Sequence, residues 1–168
     1  MYSGHSVQLY RNERFLIGSI TRFIKAGLDL NETVLVIVTT QHRKELYTSL
    51  TGKELRDDKL RFFDTTEFLA LFMVEDWPNE SQFMQGMETI LGRAGKTGQA
   101  RVFGEAAEVL CQEGKAVAAL RLEELGNVLA RKHHCSVLCA YSLSTMFEQA
   151  DNETRTRVCQ LHQDVQIQ

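Results

Sequence analysis

Val34-Leu35-Val36-Ile37-Val38, followed by Thr39-Thr40, is an unbroken run of β-branched and aliphatic residues. A half-exposed strand would alternate apolar with polar side chains. A run with no polar interruption suits a strand buried on both faces, as in a parallel sheet covered by helices. Residues 60–63, 101–103 and 136–141 offer shorter strands, and residues 6–10 add one near the N-terminus. Helical patterns lie between them. Phe15, Leu16, Ile20, Phe23 and Ile24 recur at helical spacing and stop at Ala26-Gly27. Asp64-Thr65-Thr66-Glu67 supplies an N-cap with a Glu three residues on, which predicts a helix through Phe68, Leu69, Phe72 and Met73 that ends before Pro78. Asn79 with Gln82 repeats the signal for a helix carrying Phe83, Met87, Ile90, Leu91 and Ala94 inward, frayed at its end by Gly92, Gly95 and Gly98. Residues 105–112 and 115–132 make two more helices, and residues 144–165 a polar one. Strands alternating with helices predict a three-layer α/β domain, a mostly parallel sheet with helices on both faces.

The 168 residues correspond to one domain of ordinary size. With 19 Lys and Arg against 22 Asp and Glu the formal charge is -3, so no global field draws the chain onto nucleic acid or acidic membranes. There is no run of about 18 apolar residues to span a bilayer, and MYSGHSVQLYRNER lacks the apolar core of a secretory signal. The expected location is cytoplasmic. Cys111, Cys135, Cys139 and Cys159 show no C-x-x-C spacing and read, in a reducing compartment, as buried thiols. The single proline, Pro78, marks a join between two helices.

Ligands of open parallel sheets sit beyond the C-terminal ends of the strands, so the strand-to-helix turns are the places to search. Thr39-Thr40-Gln41-His42-Arg43 has no glycine and so cannot wrap a nucleotide's phosphates as a G-x-x-x-x-G-K-[ST] loop does, although His42 and its basic neighbours could meet an anion. Arg101-Val102-Phe103-Gly104-Glu105 is the strongest polar constellation: both charges are expected to approach one strand end, either to bind a ligand or to pair with each other. Glu123 and Asn127, four apart on one helix face, either line a pocket or form a polar edge. His133-His134-Cys135 with Cys139 raises zinc, but consecutive residues entering a strand point to opposite faces, and a buried thiol is the simpler reading. Nothing resembles a nucleophilic or paired-carboxylate catalytic motif.

Several stretches together resemble one family. His5-Ser6-Val7-Gln8-Leu9-Tyr10, Phe23-Ile24-Lys25-Ala26-Gly27-Leu28, residues 34–40 with His42-Arg43, Phe72-Met73-Val74, Arg101-Val102-Phe103-Gly104-Glu105, Arg121-Leu122-Glu123-Glu124-Leu125 with Asn127, and Leu138-Cys139-Ala140-Tyr141 are similar, in order, to the MEDS domain, the methanogen/methylotroph DcmR-type sensory domain. The resemblance implies a RecA/KaiC-like fold without a functional phosphate-binding loop. It also implies a sensory role in prokaryotic signalling, often beside a histidine kinase, and a response to small hydrocarbon-derived molecules. Ala106 and Gly126 stand where members tend to carry bulkier residues, and residues 51–60 are short. The expectation is a non-enzymatic sensory core over residues 1–147 with a polar helical tail over 148–168. It would bind a small molecule and regulate a separate partner such as a histidine kinase or transcription regulator. No cofactor, metal, nucleic acid or membrane is expected, and homo-oligomerisation stays open. His5, Tyr10, His42, Arg101, Glu105, Glu123, Asn127 and Tyr141 form the expected ligand-binding set. The alternatives are a weak nucleotide-binding ATPase and a protein-binding scaffold.

Overall fold

The computed structural model describes residues 4–97 and 99–168. Strands β1 (Gly4–Tyr10), β2 (Thr33–Val38), β3 (Leu60–Asp64), β6 (Ala100–Gly104), β7 (Ser136–Ser142) and β8 (Asp164–Ile167) form one sheet in the order β3-β2-β6-β7-β1-β8. Every pairing in it is parallel. Helices α1 (Glu13–Asp29) and α2 (Thr40–Ser49) cover one face. The other carries α4 (Thr65–Ala70), α5 (Glu80–Thr97), α6 (Ala106–Gln112), α7 (Ala116–His133) and α8 (Asn152–Leu161). A short helix α3 (Gly52–Leu55) links α2 to β3. The three-layer α/β architecture expected from the sequence is the one present. No helix among the described residues is long and apolar enough to cross a membrane.

The run that begins in β2 explains itself in this setting. Val34, Val36 and Val38 enter the core beneath α1 and α2, while Leu35 and Ile37 enter the core beneath α4 to α7. Side chains alternate across a strand, so a strand covered on both faces must be apolar at every position. The first helix is capped by Asn12, whose side chain accepts from the Arg14 amide, and it runs two residues past Gly27 to Asp29.

Three segments depart from the expected outline. The helix after Asp64 ends at Ala70, and Met73–Val74 (β4) pairs antiparallel with Trp77–Pro78 (β5). The two residues between them, Glu75 and Asp76, have φ of 48° and 62°, the left-handed pair that a two-residue hairpin turn requires. Pro78 therefore closes a hairpin, where its missing N–H costs no ladder bond in a larger sheet. Helix α5 is broken at Gly92 (φ 54°, ψ −131°) and then resumes to Thr97; Gly98 lies outside the described residues. Residues 148–168, expected as a helical tail, contain α8 but also β8, which joins the main sheet beside β1. Asn127 Nδ2 donates to the Leu161 carbonyl at 2.6 Å, and the Gln163 amide donates to His5 O at 2.8 Å, so α7 and β1 both hold this segment.

Candidate functional site

The eight expected site residues divide among three places. Tyr10, His42 and Glu105 lie at the C-terminal edge of the sheet. Glu105 is the N-cap residue of α6, yet its side chain makes no cap bond. It turns to the β2–α2 turn instead, where it accepts from the Thr39 amide and lies 2.7 Å from His42 Nδ1. Burial alone would lower the His42 pKa, but the hydrogen bond and charge of Glu105 outweigh it and raise the value above 6.5. Tyr10 ends β1 at the same edge; burial, followed by the charges of Glu108 and Glu105, pushes its phenol up. Glu108 is a carboxylate that the sequence did not single out. Its Oε1 accepts from the Ser142 and Thr145 hydroxyls, each at 2.8 Å, and burial raises its pKa against these bonds.

Arg101 is elsewhere. It sits near the start of β6, its Nε donates to Glu32 Oε2 at 2.5 Å, its Nη1 donates to Phe23 O, and its guanidinium lies 5.0 Å from the Phe23 ring centre. The expected approach of Arg101 and Glu105 to one strand end does not occur, because the strand rises about 3.3 Å per residue and separates them by its length. Arg101 fastens the end of α1 to the sheet.

The third group is interior, on the α7 side. His5, Val7 and Leu9 of β1 face this way, as do Val137, Cys139 and Tyr141 of β7. Glu123 on α7 is 1 % exposed and is the hub. Its Oε2 lies 3.1 Å from His5 Nε2 and 3.1 Å from His162 Nε2, and its Oε1 accepts from the Tyr141 hydroxyl. His5 Nε2 is also 3.2 Å from Cys139 Sγ, and the two imidazole centres are 4.1 Å apart. Burial works to raise the Glu123 carboxyl, but the charge and hydrogen bond of His162, with the hydrogen bond from His5, hold it well below the usual range. Burial and the Glu123 charge push the Tyr141 phenol and the Cys139 thiol well up. Donor atoms of His5, Glu123, Cys139 and His162 all lie within 4.8 Å of one another, a set able to hold a metal ion. Asn127 stands apart from this hub as an anchor for the end of α8.

Beside the hub is a partly open cavity of about 50 Å³. Ile37, Phe68, Phe83, Met87, Val102 and Val137 give it apolar walls, Gly104 leaves it room, and Glu123 and Cys139 border it. Gly126, also on its lining, explains part of its shape: a Cβ there would come within 2.9 Å of the His5 ring. The space left by the small residue at 126 is thus taken up by an imidazole rather than left open.

Sequence reasoning missed His162, Glu108 and the part played by Cys139. His162 follows a polar helix and carries no periodic signal. Cys139 is a half-buried thiol rather than the fully buried one expected, and its companions come from β1, α7 and the α8–β8 turn, not from His134 or Cys135. Cys111 and Cys135 are buried, and burial pushes their thiols up to about 12 and about 11. Cys159 is exposed, so the burial expected for all four holds in full for Cys111 and Cys135 alone.

The site is thus a buried polar hub with an adjoining apolar cavity, set in a three-layer α/β domain. The family model for MEDS, the MEthanogen/methylotroph, DcmR Sensory domain, matches residues 4–163, and the chain belongs to this sensory-domain family. The match runs through α8 to the turn that holds His162. A comparison with curated proteins finds no match.

Proposed function

We propose that this sensory domain binds a small, largely apolar molecule in the cavity between the sheet and α7, with Glu123 and Cys139 at its polar end. It then regulates a separate partner, such as a histidine kinase or transcription regulator, without catalysing a reaction. The observation that carries this reading is the apolar cavity itself, bordered by the buried Glu123 carboxylate and by Cys139. Its volume of about 50 Å³ is several times the ~10–15 Å³ that one water needs, so it suits a ligand of a few heavy atoms. Signalling by such a domain draws on the difference in ligand affinity between two conformations. The cavity touches β2, β6 and β7 and helices α4 to α7, so filling it bears on most of that layer.

The experiment is a thermal-shift and calorimetric screen of one- to four-carbon alcohols, ketones and alkyl halides. A binder at a hundred times its Kd adds about 2.7 kcal/mol, or roughly 5–10 °C in Tm for a chain of this size. Gly104→Val would fill the cavity, since a Cβ at 104 meets nothing within 4 Å. We expect that variant to fold and to lose the shift. A wild-type protein that responds to none of the panel, or a Gly104→Val protein that responds equally, would rule the cavity out. Calorimetry with ATP and magnesium should give no heat; hydrolysis abolished by Glu105→Gln would favour the ATPase instead.

A further inference from the structure

Glu123, His5, Cys139 and His162 arrive at one point from α7, β1, β7 and the turn between α8 and β8. We propose that these four side chains form a binding site for one divalent transition-metal ion of the zinc type. Three features of the geometry support it.

The donors converge: all four ligand atoms lie within 4.8 Å of one another, and three of the contacts among them are close to the spacing that a tetrahedral zinc ion sets. Zinc bonds of 2.0–2.3 Å place neighbouring ligand atoms about 3.3–3.8 Å apart. The three shortest contacts, 3.1 Å from Glu123 Oε2 to each imidazole Nε2 and 3.2 Å from His5 Nε2 to Cys139 Sγ, widen by a few tenths of an ångström on metal uptake, and pairs nearer the 4.8 Å limit close by up to about 1 Å.

The second feature is orientation. His162 Nδ1–H donates to the Val158 carbonyl at 2.6 Å, which fixes that ring with Nε2 toward the hub. This is the arrangement in which a histidine offers its other nitrogen to a metal. His5 makes its polar contacts through Nε2 as well, while its buried Nδ1 has no hydrogen-bond partner. The Tyr141 hydroxyl takes up Glu123 Oε1, leaving Oε2 as the oxygen that faces both imidazoles.

The third is charge and ligand type. A dication with one carboxylate, one thiolate and two neutral imidazoles sums to zero, the condition for burying charged groups. Coordination takes Cys139 as thiolate, its proton passing to solvent. Nitrogen and sulfur donors disfavour calcium and magnesium, which want oxygen, and a tetrahedral N₂OS set suits zinc. Four protein ligands close the site, so the ion would be structural or regulatory rather than a holder of reacting water. It would tie His162, and hence β8, to the sheet.

The site does not depend on the cavity taking a small molecule. Metal uptake by ligand-free protein and small-molecule binding by metal-free protein are separate measurements, and either can fail alone.

The test uses the full chain, stripped with a chelator and titrated with Co²⁺ as a spectroscopic stand-in for zinc. We expect uptake of one ion per chain, with the visible bands of tetrahedral cobalt and a near-ultraviolet thiolate-to-cobalt band, all bleached by Zn²⁺. Cys139→Ser should abolish the thiolate band, and Cys139→Ser and His162→Gln should each weaken Zn²⁺ binding by at least about tenfold. Cys159→Ser, at an exposed position outside the hub, should leave both unchanged. Circular dichroism checks that each variant is folded. Wild-type protein that takes up no stoichiometric Co²⁺, or a thiolate band that survives in folded Cys139→Ser or is lost in Cys159→Ser, would overturn the assignment.

Discussion

At Gly126 the helix α7 approaches β1 so closely that the His5 ring lies against it, 2.9 Å from where a Cβ would stand. Two effects oppose each other in Gly126→Ala. Alanine favours a helix interior over glycine by about 0.8–1.0 kcal/mol. Overpacking typically costs ~1–3 kcal/mol, and His5 is hemmed in by Cys139, Glu123 and His162. The clash should win, leaving the variant less stable by up to about 2 kcal/mol in urea unfolding; a more stable variant would mean that the ring moves freely. His42 makes a prediction in pH. Its pKa in the folded protein is raised, burial opposing and Glu105, then Glu13 and Glu45, prevailing. The folded state therefore holds the proton more tightly than the unfolded one. The stability from this pair is fully present below the ordinary value of about 6.5 and is lost as pH rises through the folded value. Urea unfolding across that range should show wild type weakening with pH and Glu105→Gln showing a flatter response. An unchanged slope in the variant would remove Glu105 as the cause.

Among the elements, β8 alters the outline most. Its pairing aligns Ser6 with Asp164, Val7 with Val165, Gln8 with Gln166 and Leu9 with Ile167. A chain ending at Leu161 would lose that strand and also His162, leaving the buried Glu123 carboxylate without one of the two imidazoles it pairs with. Breaking a buried pair by removing one member costs about 3–5 kcal/mol, so we expect at least that loss in equilibrium unfolding. Stability within about 1 kcal/mol of the full chain would show the segment to be an appendage, the reading that its polar composition suggests. The sequence hides β8 for a physical reason: an edge strand with four exposed residues has no buried face to impose an apolar rhythm. The β4–β5 hairpin escapes notice because Glu75 and Asp76 occupy left-handed positions without the Asn-Gly signature. The buried strand β2 is legible because two covered faces leave no polar position from Val34 to Val38, and β6 and β7 show shorter apolar runs.

At the scale of the whole molecule, β1 lies between β7 and β8, so the first strand finds both neighbours only after most of the chain has been made. A fragment of residues 1–134 lacks both, and we expect it to show no cooperative thermal transition by circular dichroism. A sharp transition there would mean that β2, β3 and β6 with their helices fold as an independent unit. The same long-range closure explains how the candidate site divides between sequence and fold. The amino-acid order by itself determined the layers, because burial on two faces or one stripe writes a local period into strands and helices. It also put forward His5, Glu123 and Tyr141, which now share a hub, and Glu105 with His42, which now share an edge. It could not join Arg101 to Glu32 rather than Glu105, nor bring Cys139 to His5 and His162 to Glu123. Those pairings span 69, 134 and 39 positions for Arg101–Glu32, His5–Cys139 and Glu123–His162. Only the order of strands in the sheet decides them, since a pattern of local periods fixes which face a residue takes but not which distant residue meets it there.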